Sequence, residues 1–409
     1  MTALRITGLG AGGDGIAEDG TFVPFALPGE VVEAEAAGKG RAKALRWLTE
    51  SPDRAAPPCP RFGPCGGCTL QHLAEPAYLA WKRGLLVEAL ERAGCADAPV
   101  APLAVSPPNS RRRADLGVVR ERDGTVRLGF HTRGGRELVD ISPCRILRPE
   151  LLHLLPRLAE LLRGLQALRG EGSAVLNLLD TGPDLLLRTD AALTPRDRQL
   201  LGTLGLRRVA WALRDALPET AAMTEAPHMT FGGVAVTPPA GGFLQATAEG
   251  EAAITAAVLA GLPKPKKGML VADLYAGAGT LSLPLAQHAR VLAYEGSADA
   301  VAALDAASRK IGQRVKAEKR DLANRPLLAR ELDALDAAVL DPPYAGAAEQ
   351  VAQIARSKLR RVIYVSCNPA ALTRDLRVLR GAGFAVQAAT PVDQFRWTAH
   401  LESVIALAR

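Results

Sequence analysis

The chain has 409 residues, 48% of them hydrophobic and 23% charged, an ordinary globular balance with length for two or three domains. No long uncharged apolar run exists and "MTALRITGLGAGGDG" lacks the charged start and apolar core of a signal peptide, so neither a membrane partner nor export is expected and a cytoplasmic location is. The net charge of +7, with arginine well ahead of lysine, admits a nucleic-acid partner without proving one, because GC-rich coding also enriches arginine.

Residues 1–52 read as a small OB-type β-barrel: "LRITGLG", "GTFVPFAL" and "EVVEAEAAG" are short strand-like runs broken by Gly and Pro. Such barrels often bind nucleic acid, and a β-cap without partners is the plainer alternative. The Pro/Gly-rich "ESPDRAAPPCPRFGPCGGC" follows. It holds Cys59, Cys65 and Cys68, half of the six cysteines. In a reducing compartment that crowding reads as a metal or cluster site rather than a disulfide framework. Cys144 is a candidate fourth thiolate. Four thiolates suit zinc or an iron–sulfur cluster, and a three-plus-one spacing leans to [4Fe–4S]. Cys95 fits neither.

In the segment 71–103, Tyr78, Trp81, Leu85, Leu86, Ala89, Leu90 and Ala93 recur at helical spacing, with Gly94 as a stop. This helix is expected to pack on the C-terminal domain. Residues 53–70 and 104–238 read as a central α+β domain, an antiparallel sheet with one leucine-rich helix, "PELLHLLPRLAELLRGL". "NSRRRADL" offers Arg111, Arg112 and Arg113 to phosphate, or is a solvated charge run. "KPKKG" reads as a linker.

From 239 to 409, "MLVADLYAG", "ARVLAYEG", "LDAAVLDPP" and "RRVIYVSC" alternate with helical stretches, the pattern of a Rossmann-like parallel sheet. "FAVQAATPVD" and "HLESVIALAR" would add an antiparallel pair at its edge. Gly277 and Gly279 sit in a strand–turn–helix loop where backbone can approach a ligand. Glu295 ends the next strand, placed to accept hydrogen bonds from a ribose, and Asp341 ends a later one. Ser282 replaces the third glycine of a dinucleotide fingerprint, and Asp273 ahead of the turn repels phosphate. An acid there suits a cationic cofactor with a free amine, which favours S-adenosylmethionine over NAD. Glycines serving only helix–sheet packing are the structural alternative. Cys367 closes the strand after Asp341. A cysteine there is a small core residue or a nucleophile facing the crevice. Glu402 lies beside a strand-like run, with His400 two residues earlier.

These pieces, with "VPFALPGE", "ISPCRIL", "GGFLQAT", "YVSCNPAAL" and "FRWTAHLESV", resemble the S-adenosylmethionine-dependent RNA uracil-C5 methyltransferases, in particular the bacterial 23S rRNA group with a TRAM domain and a [4Fe–4S] cluster. The resemblance implies a multidomain α/β protein: a TRAM-like barrel, an α+β central domain with the Fe–S loop on Cys59, Cys65, Cys68 and Cys144, and a seven-stranded methyltransferase domain. It implies Cys367 as nucleophile at C6 of uracil and Glu402 as the base that removes the C5 proton. Gln245, Tyr275, Thr280, Glu295, Asp321 and Asp341 join the two glycines as cofactor contacts. The implied partner is RNA, 23S rRNA before tRNA, with no DNA, and the chain is expected to be a monomer. Thr280 stands where many relatives carry Asn, Tyr344 where many carry Arg, and Arg396–Trp397 also depart, with Trp397 free to stack on RNA. "DPPY" is shared with enzymes that methylate exocyclic amines of bases. That activity, and a non-catalytic RNA-binding or assembly role, are the alternatives. Neither uses the Cys367–Glu402 pair.

Overall fold

The computed structural model describes residues 2–409. Strands β1 (Thr2–Leu9), β2 (Gly15–Ala17), β3 (Phe22–Val23), β4 (Val31–Gly38) and β5 (Arg41–Thr49) close into a barrel in the order β1-β2-β3-β5-β4. Ile6, Val23, Val32 and Ala34 fill it. Buried Glu30 ties the barrel to the next loop: it accepts from Arg54 at 2.5 and 2.8 Å, from the Trp47 indole at 2.8 Å and from Leu27 N–H at 2.8 Å. A buried carboxylate needs that many donors to remain ionised.

Helix α1 (Glu75–Arg92) buries Tyr78, Leu85, Leu86, Ala89 and Leu90 as their spacing requires, and the chain turns away at Gly94, φ +77°. Its apolar face packs on the C-terminal sheet and its helices. One polar residue shares that face: Lys82 is wholly buried, its ammonium 2.8 Å from the equally buried Asp393 carboxylate. Tyr78 hydroxyl donates to the same carboxylate and accepts from Trp397 N–H at 2.7 Å.

β6 (Ala104–Val105) precedes the central sheet, which is formed by β7 (Arg113–Arg120), β8 (Val126–His131), β9 (Leu138–Val139), β10 (Glu171–Leu179), β11 (Gly182–Thr189), β12 (Arg208–Leu213) and β13 (Glu219–Met223), ordered β13-β12-β11-β10-β7-β8-β9. Helices α2 (Pro149–Gly164) and α3 (Pro195–Gly202) cover it. The sheet is not wholly antiparallel: β11 and β12 run parallel because α3 crosses between them, begun by a Thr194–Asp197 capping box.

The hairpin β14 (Met229–Phe231) and β15 (Val234–Val236) leads into α4 (Ala248–Gly261). Then follow β16 (Leu270–Leu274), α5 (Ser282–Leu285), β17 (Arg290–Glu295), α6 (Ala298–Arg309), β18 (Val315–Lys319), α7 (Ala329–Leu332), β19 (Ala337–Leu340), α8 (Ala348–Arg356), β20 (Arg361–Ser366), α9 (Pro369–Gly381), β21 (Ala385–Asp393) and β22 (Glu402–Ala408). The sheet order is β18-β17-β16-β19-β20-β22-β21-β6. β16 to β20 are parallel, and β22 runs antiparallel between β20 and β21.

The sheet thus has eight strands rather than seven. The eighth, β6, comes from the stretch expected in the central domain, and Val100, in the segment expected to pack on the C-terminal domain, bridges Ala389. At the other boundary, Met229, Phe231 and Val236 fall before 239 yet pack into the C-terminal core. Burial decides both: these segments are too short to carry a core and join the nearer one. Among the described residues no helix is long and apolar enough to cross a membrane.

The Lys82–Asp393 pair sets a stability test. Lys82→Ala leaves a buried carboxylate without its cation and should lower unfolding free energy by about 3–5 kcal/mol in denaturant titration, whereas Lys82→Met with Asp393→Leu should recover most of it.

Candidate active site

The strand order reverses between β16 and β19, which opens a crevice at the carboxyl ends of the parallel strands. Four chain turns meet there. After β16, Tyr275 (φ +67°), Gly277 (φ +54°) and Gly279 (φ +103°) bend the backbone through left-handed conformations. A Cβ at Gly279 would lie 2.5 Å from Leu304, so this glycine is required for α6 to close on the loop. Thr280 is half-buried in the same turn. Gly277 N–H donates to Glu295, at the end of β17, at 2.9 Å, and Ser297 N–H holds the other carboxylate oxygen at 2.8 Å.

Three acids crowd this turn. Asp273 is completely buried; one oxygen accepts from Ser282 hydroxyl at 2.5 Å and the other has no partner. Burial, then the charges of Asp341 and Glu295, push its carboxyl up to about 7. Asp341 is also raised, by burial, against one hydrogen bond from Gln245 Nε2 at 3.3 Å. A buried acid with an orphaned oxygen, beside two more carboxylates and a glycine-lined turn, fits a cationic amino-acid-bearing ligand.

Cys367 and Glu402 meet across β20 and β22. Their antiparallel register runs from Arg361 opposite Ala408 to Ser366 opposite Ser403; Cys367 follows the last residue of β20 in a bend, and Glu402 opens β22. The Glu402 charge acts on the Cys367 thiol, which puts the two groups near each other at this end of the strand pair. Burial, then the charges of Glu402 and Asp341, hold the Cys367 thiol up at about 12. Working the other way is α9: Asn368 caps it through Ala370 N–H at 3.0 Å, and a helix N-terminus beside a thiol favours the thiolate. Asn368 also donates to Tyr344 C=O at 2.9 Å, fastening the Cys367 turn to the "DPPY" loop. Glu402 is buried, and burial followed by the Asp341 charge raises its carboxyl.

Glu402 is reached from the cofactor side through two amides. Gln245 Oε1 accepts from Gln394 Nε2 at 2.7 Å, and the same nitrogen donates to Glu402 Oε2 at 3.0 Å. Gln245 thus lies between Asp341 and Glu402. Gln394 escaped the sequence reading, since a lone glutamine carries no period or motif.

Cys59, Cys65, Cys68 and Cys144 line one cavity of about 130 Å³, together with Phe62, Gln71 and Arg111. Burial raises the Cys65, Cys68 and Cys144 thiols. Among the described residues, no group of three or more His, Cys, Asp or Glu is gathered tightly enough to hold a single metal ion. The four thiols therefore surround a space rather than converge on a point.

Other expectations need correction. Arg111 is half-buried against this cavity, its Nε donating to Arg113 C=O at 2.9 Å, and Arg112 is buried in an ion pair with Glu251, so Arg112 is not free for phosphate. Trp397 is not a free stacking platform; it packs beside Leu27, Leu70 and Tyr78, with Arg396 held bidentately by Glu75 at 2.7 and 2.6 Å. Its carbonyl accepts from Thr69 and Leu70 N–H at 2.8 and 3.0 Å, joining the cysteine loop to the loop before Glu402. His400 stands edge-on to Tyr344 and Phe395, at 6.4 and 6.0 Å between ring centres. Asp321 is exposed beyond β18 and bound within its own turn to Asn324 at 2.7 Å.

Residues 240–409 match the family model described as tRNA (Uracil-5-)-methyltransferase. The chain is 41% identical to an uncharacterized RNA methyltransferase of Brucella suis, over 99% of this chain and 97% of that one. It is 35% identical to the 23S rRNA uracil-C5 methyltransferase RlmD of Chromohalobacter salexigens, over 99% and 89%. The chain belongs to the S-adenosylmethionine-dependent RNA uracil-C5 methyltransferase family. Its fold matches the Pyrococcus abyssi tRNA (uracil-54, C5)-methyltransferase solved with S-adenosyl-L-homocysteine, with a TM-score of 0.76 across 100% of both chains at 22% identity.

For a methyltransferase of this family the acid cluster dictates a pH effect. Asp273, raised to about 7, must ionise to attract the sulfonium cation. Affinity for S-adenosylmethionine should therefore be full above pH 7 and fall by up to about tenfold per pH unit below it. Calorimetric titration across that range checks this; a flat profile contradicts it.

Proposed function

We propose that this enzyme methylates C5 of a uridine in 23S rRNA through a covalent Cys367–C6 adduct, with Glu402 as the proton acceptor and a [4Fe–4S] cluster held by Cys59, Cys65, Cys68 and Cys144. The observation that supports the chemistry is the β20–β22 pairing, which brings the chain segments bearing Cys367 and Glu402 to one end of the sheet beside the acid-lined turn. The rRNA target is supported by the RlmD relative, alike along nearly its whole length.

Uracil C5 is too poor a nucleophile to attack a sulfonium methyl unaided. Cys367 first gives up its thiol proton to solvent; the thiolate Sγ then adds to C6, and the C5=C6 electron pair moves into an enolate with charge at C5. S-adenosylmethionine supplies the electrophilic methyl and, as a cation, offsets the carboxylate charge that holds the Cys367 thiol up. Gln245, Tyr275, Gly277, Gly279, Thr280, Glu295, Asp321 and Asp341 are the residues proposed to hold it. The methylated C5 still bears a proton. Glu402 takes it, the C5–H pair restores C5=C6, and the C6–S pair returns to sulfur. The target base must be turned out of its stack to reach this crevice, which costs least in a loop or bulge.

The thiol-lined cavity supports the cluster, as do two N–H groups aimed at sulfur: Gly67 at 3.5 Å from Cys65 and Ile146 at 3.4 Å from Cys144. A bound cluster would cross-link the loop that Thr69 and Leu70 stitch to Trp397, and so brace the strand that begins at Glu402.

Methyl transfer from labelled donor to RNA tests the reading. Native enzyme should yield 5-methyluridine in large-subunit rRNA. Label in N6-methyladenosine would support amine methylation, and label only in tRNA would move the target. Cys367→Ala should give no product. Glu402→Gln should slow release by about 10²–10⁴-fold and accumulate a denaturation-resistant protein–RNA complex. Anaerobically purified protein should be brown and hold iron and sulfide; colourless zinc-loaded protein would refute the cluster.

A further inference from the structure

We infer that Gln394 is a positioning residue for the proton-abstraction step, holding the Glu402 carboxylate in one orientation and linking it to Gln245. This rests on the reading of Glu402 as base.

Every polar atom of the Gln394 amide is used. Its Oε1 accepts from Ala246 N–H at 2.8 Å. A backbone N–H can only donate, so that bond fixes which end of the amide is oxygen. The NH₂ group must then face the other way, where its two hydrogens meet Gln245 Oε1 at 2.7 Å and Glu402 Oε2 at 3.0 Å. Gln245 is oriented in turn: with its oxygen taken, its nitrogen is left to face Asp341. One amide therefore sets the rotamer of the base and the polarity of the path to the cofactor acid.

The surroundings are built to admit this side chain. Gln394 is 2% exposed. A Cβ at Gly250, in the first turn of α4, would come within 2.6 Å of Gln394 Cβ, so the helix approaches this closely only because the position is glycine. The preceding residue, Asp393, is anchored by Lys82 and Tyr78. Gln394 thus stands on a strand end fixed from one side by α1 and pressed from the other by α4.

An amide suits this place chemically. It donates to Glu402 Oε2 yet cannot take up or release a proton, so the carboxylate keeps its proton-accepting capacity for C5. Gln394 also donates to the carboxylate in a field that otherwise opposes its charge. The charged groups facing Glu402 are Asp341 behind Gln245 and Cys367 across the strand pair. Behind Gln394 stands Asp393, paired with Lys82, and behind Gln245 stands Arg112, paired with Glu251 and donating to Gln245 C=O at 3.0 Å.

The test uses full-length Gln394→Met and Gln394→Glu in single-turnover reactions with the RNA that native enzyme methylates. Met keeps the volume and loses the donors; Glu keeps shape and the acceptor for Ala246 but loses the donors and adds a charge. In Gln394→Met, methylated adduct should form at a rate within about threefold of native; in Gln394→Glu the added charge should slow formation as well. Breakdown should be roughly ten- to a hundredfold slower, as expected for losing one hydrogen bond to a charged group. Denaturation-resistant complex should build up, and the acid limb of the breakdown rate should move to higher pH, further in Gln394→Glu. Unchanged breakdown and an unmoved limb in both variants would overturn the inference. So would an equal loss of formation and breakdown in Gln394→Met with a lowered melting temperature, which marks a role in folding alone. Failure of native enzyme to produce 5-methyluridine would instead remove the functional reading beneath it.

Discussion

The antiparallel pairing of β20 with β22 is the constraint on which the site depends. β20 belongs to the parallel series and ends at the crevice with the other carboxyl termini; β22 returns beside it and begins there. Because side chains alternate, register alone decides whether the two chemistry-bearing ends share a face. A slip of one residue would turn Glu402 to the other face of the sheet. The buried, mostly β-branched and aromatic run from Val362 to Val365 and its partners Val404 to Leu407 make such a slip costly.

Around that pair the enzyme places more negative charge than a buried site tolerates alone. Asp273, Asp341 and Glu402 are all raised above the usual carboxylate range by burial, and the Asp341 charge adds to the shift at Asp273 and Glu402. Neutral amides, Gln245 and Gln394, fill the space between Asp341 and Glu402 and supply hydrogen bonds without adding countercharge. The site is left short of a positive charge, which a sulfonium donor carries. Outside it, charge is neutralised internally: Lys82 by Asp393, Arg112 by Glu251, Arg54 by Glu30. The same frame joins the cysteine-lined cavity to the loop before Glu402.

What the sequence disclosed follows from the kind of signal each residue leaves. Short apolar runs that end in Glu295, Asp341 and Cys367 are legible because a parallel strand is buried throughout and its last residue faces the crevice. The α1 face and the Gly277–Gly279 turn are legible from period and from backbone requirement. Lys82 is not: a lysine on an apolar face reads as a surface residue until Asp393, far along the chain, is found to share its burial. Gln394 is silent for the same reason, since its meaning lies in three partners from distant segments. β6 is too short to show alternation, and the β14–β15 hairpin gives no sign of which core it joins. Arg112 and Trp397 show the converse error, in which side chains suited to RNA are spent inside the protein.

The central claim is that Cys367 forms the bond to the pyrimidine while Glu402 waits on the same face to take the C5 proton. RNA in which uridine is replaced by 5-fluorouridine tests it most directly, because fluorine at C5 cannot leave as a proton does and the adduct cannot break down. Mass spectrometry of digested complex should find methylated fluorouridine on the peptide that contains Cys367. A crosslink at another residue, or turnover of ordinary RNA without any adduct at Cys367, would contradict the account.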